Sequence, residues 1–375
     1  MKHRSPSKIP LLQIICCLMI SCLLSGCSVF LITPSPVSLE ETPSPTSPQA
    51  LNISTTAEGT EGLTDEEIAT LSSLEKVDDH PLYMMHYYGT YTQFSSSFPH
   101  KWKVYELPKP NLNAWACSLF AALGDAENML YGRNFDWEFS PALLLFTDPS
   151  DGYASVSMVD IAYLGFGEAN AGDLPNLPLN ELRSLLNAPF LPFDGMNDQG
   201  LTIGMAAVPP GDMILDPEKE TIGSLMVIRK MLDRARTVDE AVEILGSYNI
   251  DTTGGPPIHY LIADRTGRSV LVEFYQGEMV VIFNEGAWHQ ATNFLRTSAG
   301  ESAEGICWRY DRIFQRLNNS EGRLDIREAF DLLRNVSQDE TQWSIVYGIS
   351  TGEVDVVMGH RFDTIYTFRL SSSTE

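Results

Sequence analysis

Residues 117–136 read as one β-hairpin with a thiol on its first strand and an arginine and an aspartate on its second. Residues 115–120 and 129–135 are apolar runs of strand length, and Gly124-Asp125-Ala126-Glu127-Asn128 between them is a turn. Folded this way, Cys117, Arg133 and Asp136 share one edge of one sheet. The thiolate is the reactive form of a cysteine, and a nearby cation favours it. The reacting group also has to be held in line. A cysteine alone would read as a core residue; beside Arg133 and Asp136 it reads as a nucleophile.

The rest of the chain alternates between sheet and helix patterns. Thr64 with Glu67 three residues on marks a helix start with a capping box. Residues 82–88 are aromatic-rich and strand-like, and 194–204 read as a turn entering a strand. Helical periodicity runs over 222–234, over 238–245 behind Thr237 and Glu240, and over 326–334. Strands at 258–263 and 269–274 flank the hairpin turn Asp264-Arg265-Thr266-Gly267. A further strand follows at 278–283, and 344–349 with 354–358 form a last hairpin. Strands, then helices, then strands predict a layered α+β fold. No internal repeat is visible.

Cys117 followed by Gly132-Arg133-Asn134-Phe135-Asp136, at offsets 133 − 117 = 16 and 136 − 117 = 19, resembles the choloylglycine hydrolase and acid ceramidase group of N-terminal-nucleophile (Ntn) hydrolases. That group includes bile salt hydrolases and penicillin V acylases. The resemblance covers about 82–368. It implies a four-layer αββα sandwich, with two stacked antiparallel sheets between helix layers. It also implies a cysteine amidase acting on linear, non-peptide C–N bonds through an acyl-enzyme thioester. In that family the bond before the cysteine is cleaved autocatalytically, which here would fall between Ala116 and Cys117. The freed α-amine, titrating near 7.7–8.0, then serves as the base.

The resemblance assigns roles residue by residue. Arg133 would activate the thiol and contact substrate. Asp136 would hold the α-amine, while Asn134 and Trp137 are structural. Asn293, in Ala291-Thr292-Asn293-Phe294, matches the motif whose amide donates to the oxyanion. Arg309, in Cys307-Trp308-Arg309-Tyr310-Asp311-Arg312, matches a late active-site arginine, with Arg312 as the rival. One position departs from the pattern. A second oxyanion asparagine, ten residues after the position of Asn197, is here Ala207, which has no side-chain donor. That speaks against bile salt specificity and leaves amide cleavage in place. Asn197 itself reads as a turn residue.

The N-terminus reads as an address. Lys2, Arg4 and Lys8 precede an apolar stretch at 11–24, short for a membrane span, which ends in Leu24-Ser25-Gly26-Cys27. This looks like a bacterial lipoprotein box, with Cys27 as the lipidated residue and a location in the cell envelope, outside the cytoplasm. The expected organisation is a signal peptide at 1–26, a Pro/Ser/Thr-rich disordered tether at 27–63, a pro-segment at 64–116 that cleavage would separate, and the catalytic domain at 117–375.

A formal charge of −24 excludes nucleic acid as a partner, since that needs a basic stripe. The expected partners are a small acylated amide and, through the anchor, a membrane. No cofactor or metal motif is present. Of six cysteines, only Cys117 and Cys307 would remain unlipidated in the mature chain. Two alternatives stay open: an acyltransferase using the same site, and a non-catalytic lipoprotein that binds acylated ligands, with a Cys117–Cys307 disulfide. A papain-like pairing of the thiol with His259 or His289 lacks its local signature.

Overall fold

The computed structural model describes residues 59–91, 117–167, 170–300 and 302–370. The readings of the signal peptide, of Cys27 and of 92–116 fall outside these residues. The described chain opens with helix α1 (Asp65–Ser72) and strands β1 (Glu75–Asp78) and β2 (Leu82–Tyr87). Then come β3 (Ser118–Ala122), β4 (Leu130–Asp136), β5 (Ala142–Thr147), β6 (Ser155–Asp160), β7 (Asp194–Asn197), β8 (Thr202–Ala207) and β9 (Glu220–Gly223). Helices α2 (Met226–Arg234) and α3 (Val238–Gly246) precede β10 (Tyr248–Asp251), β11 (Ile258–Ala263), β12 (Ser269–Tyr275), β13 (Glu278–Phe283) and β14 (Trp288–Ala291). The chain ends with α4 (Trp308–Asn319), α5 (Ile326–Val336), β15 (Thr341–Gly348), β16 (Glu353–Met358) and β17 (Tyr366–Arg369).

Two sheets result. One has nine strands in the order β1-β2-β5-β6-β7-β8-β11-β12-β13, and the other six in the order β14-β3-β4-β15-β16-β17. Side chains alternate across each strand, and both faces of both sheets are covered. Phe120, Leu130 and Val346 turn outward onto Ile313 and Leu317 of α4 and Phe330 and Leu333 of α5. Tyr83, Met85, Leu143 and Leu145 turn outward onto Leu71 of α1 and the 3₁₀ stretch Leu179–Phe190. The facing sides of the two sheets share one apolar core with Leu119, Tyr131, Met196 and Leu261. The sheets approach closely at Gly204, where a Cβ would lie 2.7 Å from Tyr131 Oη and 2.8 Å from Leu119 Cδ2. This is the four-layer αββα sandwich, with one deviation: β2 runs parallel to β5, while every other neighbouring pair in the two large sheets is antiparallel.

Several local expectations are met and others corrected. Thr64 and Glu67 close a full capping box on α1. At α3 only half a box forms: Thr237 accepts from Glu240 N–H, but the Glu240 carboxylate turns back to the Arg236 backbone and guanidinium. The helix read over 222–234 begins only at Met226, because Ile222 and Gly223 belong to β9, which pairs in parallel with β10. Strands β1, β5, β9, β10 and β17 and helix α4 are not evident from the sequence patterns above. Residues 64–91, within the expected pro-segment at 64–116, contribute β1 and β2 to the nine-stranded sheet, β2 pairing with β5.

Candidate active site

The hairpin β3–β4 forms as expected, with Leu119 opposite Arg133 and Ser118 opposite Asn134. Cys117, one residue before β3, therefore turns to the inter-sheet side together with Leu119 and Arg133. Its thiol is 3% exposed and lies 4.0 Å from Arg133 Nη2. Burial pushes the Cys117 thiol pKa up. Arg133 and the Asp136 backbone N–H act against that shift, whereas the Asp136 charge adds to it.

Arg133 is fully buried, and its principal partner is Asp194 at the start of β7, not Asp136 or Glu138. Nη1 donates to the Asp194 carboxylate and, at 2.6 Å, to the Phe193 carbonyl. Tyr347 Oη–H donates to the other Asp194 oxygen. Burial pushes the Asp194 carboxyl up, opposed by Arg133, Tyr347 and Trp343. Two side-chain donors, Arg133 and Tyr347, thus converge on this carboxyl, one on each oxygen. The guanidinium also sits 5.0 Å from the Phe135 ring centroid. Strand β4 of one sheet and β7 of the other are thus joined through the residue that faces the thiol.

Asp136 is also 0% exposed, and Thr341 Oγ1–H donates to its Oδ1. Its Oδ2 is buried without a hydrogen-bond partner among the described residues. Desolvation pushes this carboxyl up to about 7, against the opposing effects of Thr341, Arg309 and Arg133. A buried carboxylate oxygen with no donor is unusual. It marks a place where a cation, or a proton, would be accommodated.

Arg309 reaches the site from the first turn of α4. Nη1 donates to the Cys117 carbonyl at 2.5 Å and Ser118 Oγ at 3.1 Å, and Nη2 to Asn293 Oδ1 at 3.0 Å. Asn293 Nδ2 donates to the Ala207 carbonyl at 2.8 Å. Cys117, Arg133, Asp136, Asn293 and Arg309 are therefore brought together. Arg312, the rival, is exposed and stacks on Trp308. His259 is bonded to Glu273 and His289 to Ser269, and no hydrogen bond joins either to Cys117. Cys117 and Cys307 are both free thiols, so the disulfide alternative is not what the structure contains.

The structural assignments hold elsewhere. Asn134 donates to Leu333 O and accepts from Ser344. Asn197 ties its turn to Leu232 and Ala235 at the end of α2. Sequence reasoning missed Asp194, Tyr347, Thr341 and Ser118. Asp194 stood in plain view in Asp194-Gly195-Met196-Asn197, where it had been read as turn chemistry. Two open surface cavities, of 570 and 440 Å³, lie over the outer helical layer, near Phe166 and Glu181 and near Leu71 and Pro178. Neither is lined by a site residue.

Residues 117–299 match the family model of the linear amide C-N hydrolases, choloylglycine hydrolase family. The chain is a hydrolase of carbon–nitrogen bonds other than peptide bonds. The match begins at Cys117 itself and includes Arg133, Asp136 and Asn293. Among solved structures, a mutant conjugated bile acid hydrolase from Clostridium perfringens is similar at 18% identity and TM-score 0.48, over 68% of this chain and 92% of that one. Penicillin V acylase from Agrobacterium tumefaciens is similar at 16% identity and TM-score 0.47, over 68% and 86%.

Proposed function

We propose that this hydrolase is a cysteine amidase that cleaves an N-acyl amide through a thioester on Cys117, after cutting its own chain between Ala116 and Cys117. The observation that carries the reading is the buried Oδ2 of Asp136, near the thiol-bearing residue, which has no hydrogen-bond partner among the described residues. Cleavage would create an α-amine on Cys117, and Asp136 is the carboxylate placed to accept from it. The ammonium would supply the charge that Asp136 lacks in the uncut chain.

In the reaction, the α-amine takes the thiol proton and Cys117 Sγ bonds to the acyl carbon. Arg133 stabilises the thiolate, and Asn293 Nδ2 donates to the oxyanion. Collapse breaks the C–N bond, and the α-ammonium returns the proton to the leaving amine. Water, deprotonated by the same α-amine, attacks the thioester. The carboxylic acid leaves and the thiol is restored. Ala207 offers no side-chain donor where bile salt hydrolases have one, so the favoured substrates are acyl amides other than bile conjugates. Its carbonyl instead fixes Asn293. We place the enzyme in the cell envelope, lipid-anchored through Cys27, on the strength of the Leu24-Ser25-Gly26-Cys27 pattern.

The test is intact mass with N-terminal sequencing, wild type beside Cys117→Ala. A wild-type fragment of 375 − 116 = 259 residues that starts at Cys117 and is absent from the variant is the expected result. An uncut wild-type chain would remove the α-amine base and overturn the self-activated mechanism.

A further inference from the structure

Glu273 on β12 is 0% exposed in the inter-sheet layer and takes no part in the chemistry above. Burying a carboxylate is unfavourable unless donors surround it. Oε1 accepts from His259 Nδ1 at 3.1 Å and from Arg296 N–H at 2.7 Å. Oε2 accepts from Thr297 N–H at 2.8 Å and Thr297 Oγ1–H at 2.6 Å. Burial pushes the carboxyl up, but His259 and Thr297 outweigh it, so it lies below its ordinary value and is ionised.

The partners of this carboxylate bracket Asn293. On one side, His259 pairs with Ala206 on β8, next to the Ala207 carbonyl that receives Asn293 Nδ2. On the other, Arg296 and Thr297 are the third and fourth residues after Asn293. Glu273 thus ties the turn that leaves Asn293 to the strands beside its acceptor. We propose that Glu273, held by His259, is a positioning residue that fixes the Asn293 side chain for the oxyanion. The inference rests on the reading of Asn293 as the oxyanion donor. The physical reason is tolerance: a displacement of about 1 Å at a reacting group can lower a rate by roughly 100-fold. Without the carboxylate, the 295–297 turn loses three bonds at once and His259 a fourth.

The test uses the processed full chain and 4-nitrophenyl acetate, an activated ester that acylates a reactive thiol. Glu273→Gln leaves one acceptor oxygen and turns an amide N–H₂ towards the remaining donors. Its kcat should fall about 10- to 100-fold with KM changed less than about 2-fold. Asn293→Ala alone should lower kcat by about 100-fold or more. In the Asn293→Ala background, Glu273→Gln should then lower kcat less than about 2-fold further. Thr297→Val removes only one donor and serves if Glu273→Gln does not fold. It should lower kcat about 2- to 5-fold, again only when Asn293 is present. Multiplicative losses, or folded Glu273→Gln with unchanged kcat, would overturn the positioning role. A processed wild type no more reactive than Cys117→Ala would instead overturn the amidase reading, and the inference with it.

Discussion

Arg133 and Asp194 form an ion pair with neither side chain exposed, and the pair crosses from one sheet to the other. Each residue is acceptable in the interior only because of its partner. Removing one member of a buried pair costs about 3–5 kcal/mol, because the remaining charge is left uncompensated. Asp194→Asn should therefore lower the unfolding free energy by about 3 kcal/mol in urea titration. Tyr347→Phe, which removes one donor to the charged carboxylate, should lower it by about 1.5–3 kcal/mol. An Asp194→Asn loss below about 0.5 kcal/mol would mean that the pair does not hold the sheets together.

The Asp136 carboxyl sets a pH dependence of stability in the uncut chain. Its folded value of about 7 lies above the ordinary carboxyl value of 3.8, so the folded state holds the proton more tightly. Its contribution is complete below about pH 4 and is lost as pH rises towards 7. Within that window the slope is roughly −1 kcal/mol per pH unit. Asp160, also pushed up to about 7 by burial, adds the same sign. Cys117→Ala, which cannot process, should therefore melt at a lower temperature at pH 7.5 than at pH 5. Adding Asp136→Asn should shrink that difference while Asp160 keeps its share. An identical pH dependence in the two chains would show that Asp136 is not perturbed in this way.

Much of this site could be read in the sequence because its parts are local. Cys117, Arg133 and Asp136 lie on one hairpin, and the offsets of 16 and 19 residues fix their placement once β3 and β4 pair. What escaped was contact across the sandwich. Asp194 is 61 residues from Arg133, and Thr341 is 205 residues from Asp136. No periodicity links such positions: sheet stacking brings Asp194 to Arg133, and the pairing of β15 with β4 sets Thr341 directly opposite Asp136. Helix α4 was missed for a different reason: Cys307-Trp308-Arg309-Tyr310-Asp311-Arg312 was read as a motif around an arginine and not for its helical period. Strand β2 was recognised as a strand, but its parallel union with β5 depends on the path of the intervening chain, which a strand pattern does not encode.

That union predicts the fate of the segment before Cys117 if the chain cuts itself. Residues 59–91 should remain bound, not dissociate as a discarded pro-segment. Besides the β2–β5 ladder, Asp78 accepts from Arg361 and Tyr366 near the C-terminal end, and Tyr91 Oη–H donates to Asp233 at 2.8 Å. Processed protein should elute as one species from a sizing column under native conditions and show two bands on a denaturing gel. Asp78→Ala should promote separation in low urea, because it strands Arg361 and frees the β1 end. A native catalytic fragment that folds and works without residues 59–91 would contradict this.

Arg309 shows why chemistry at one atom depends on the shape of a side chain as well as on its charge. Its planar fork spans two jobs, with Nη1 on the Cys117 carbonyl and Nη2 on Asn293 Oδ1. The second bond determines which end of the asparagine amide faces which way: with Oδ1 engaged by Arg309, Nδ2 is free to serve Ala207 and the oxyanion. Lysine preserves the charge but is a single point donor on a flexible stem, so it cannot hold both groups in that geometry. Arg309→Lys should therefore keep a folded, processed protein and lower kcat by about 10- to 100-fold, with a smaller change in KM. Combined with Asn293→Ala, the two losses should fall well short of multiplying, because part of the arginine effect passes through that amide. Steady-state kinetics of the four chains decide the matter. Full activity in Arg309→Lys would show that charge alone suffices at this position and that the Asn293 amide is oriented by other groups.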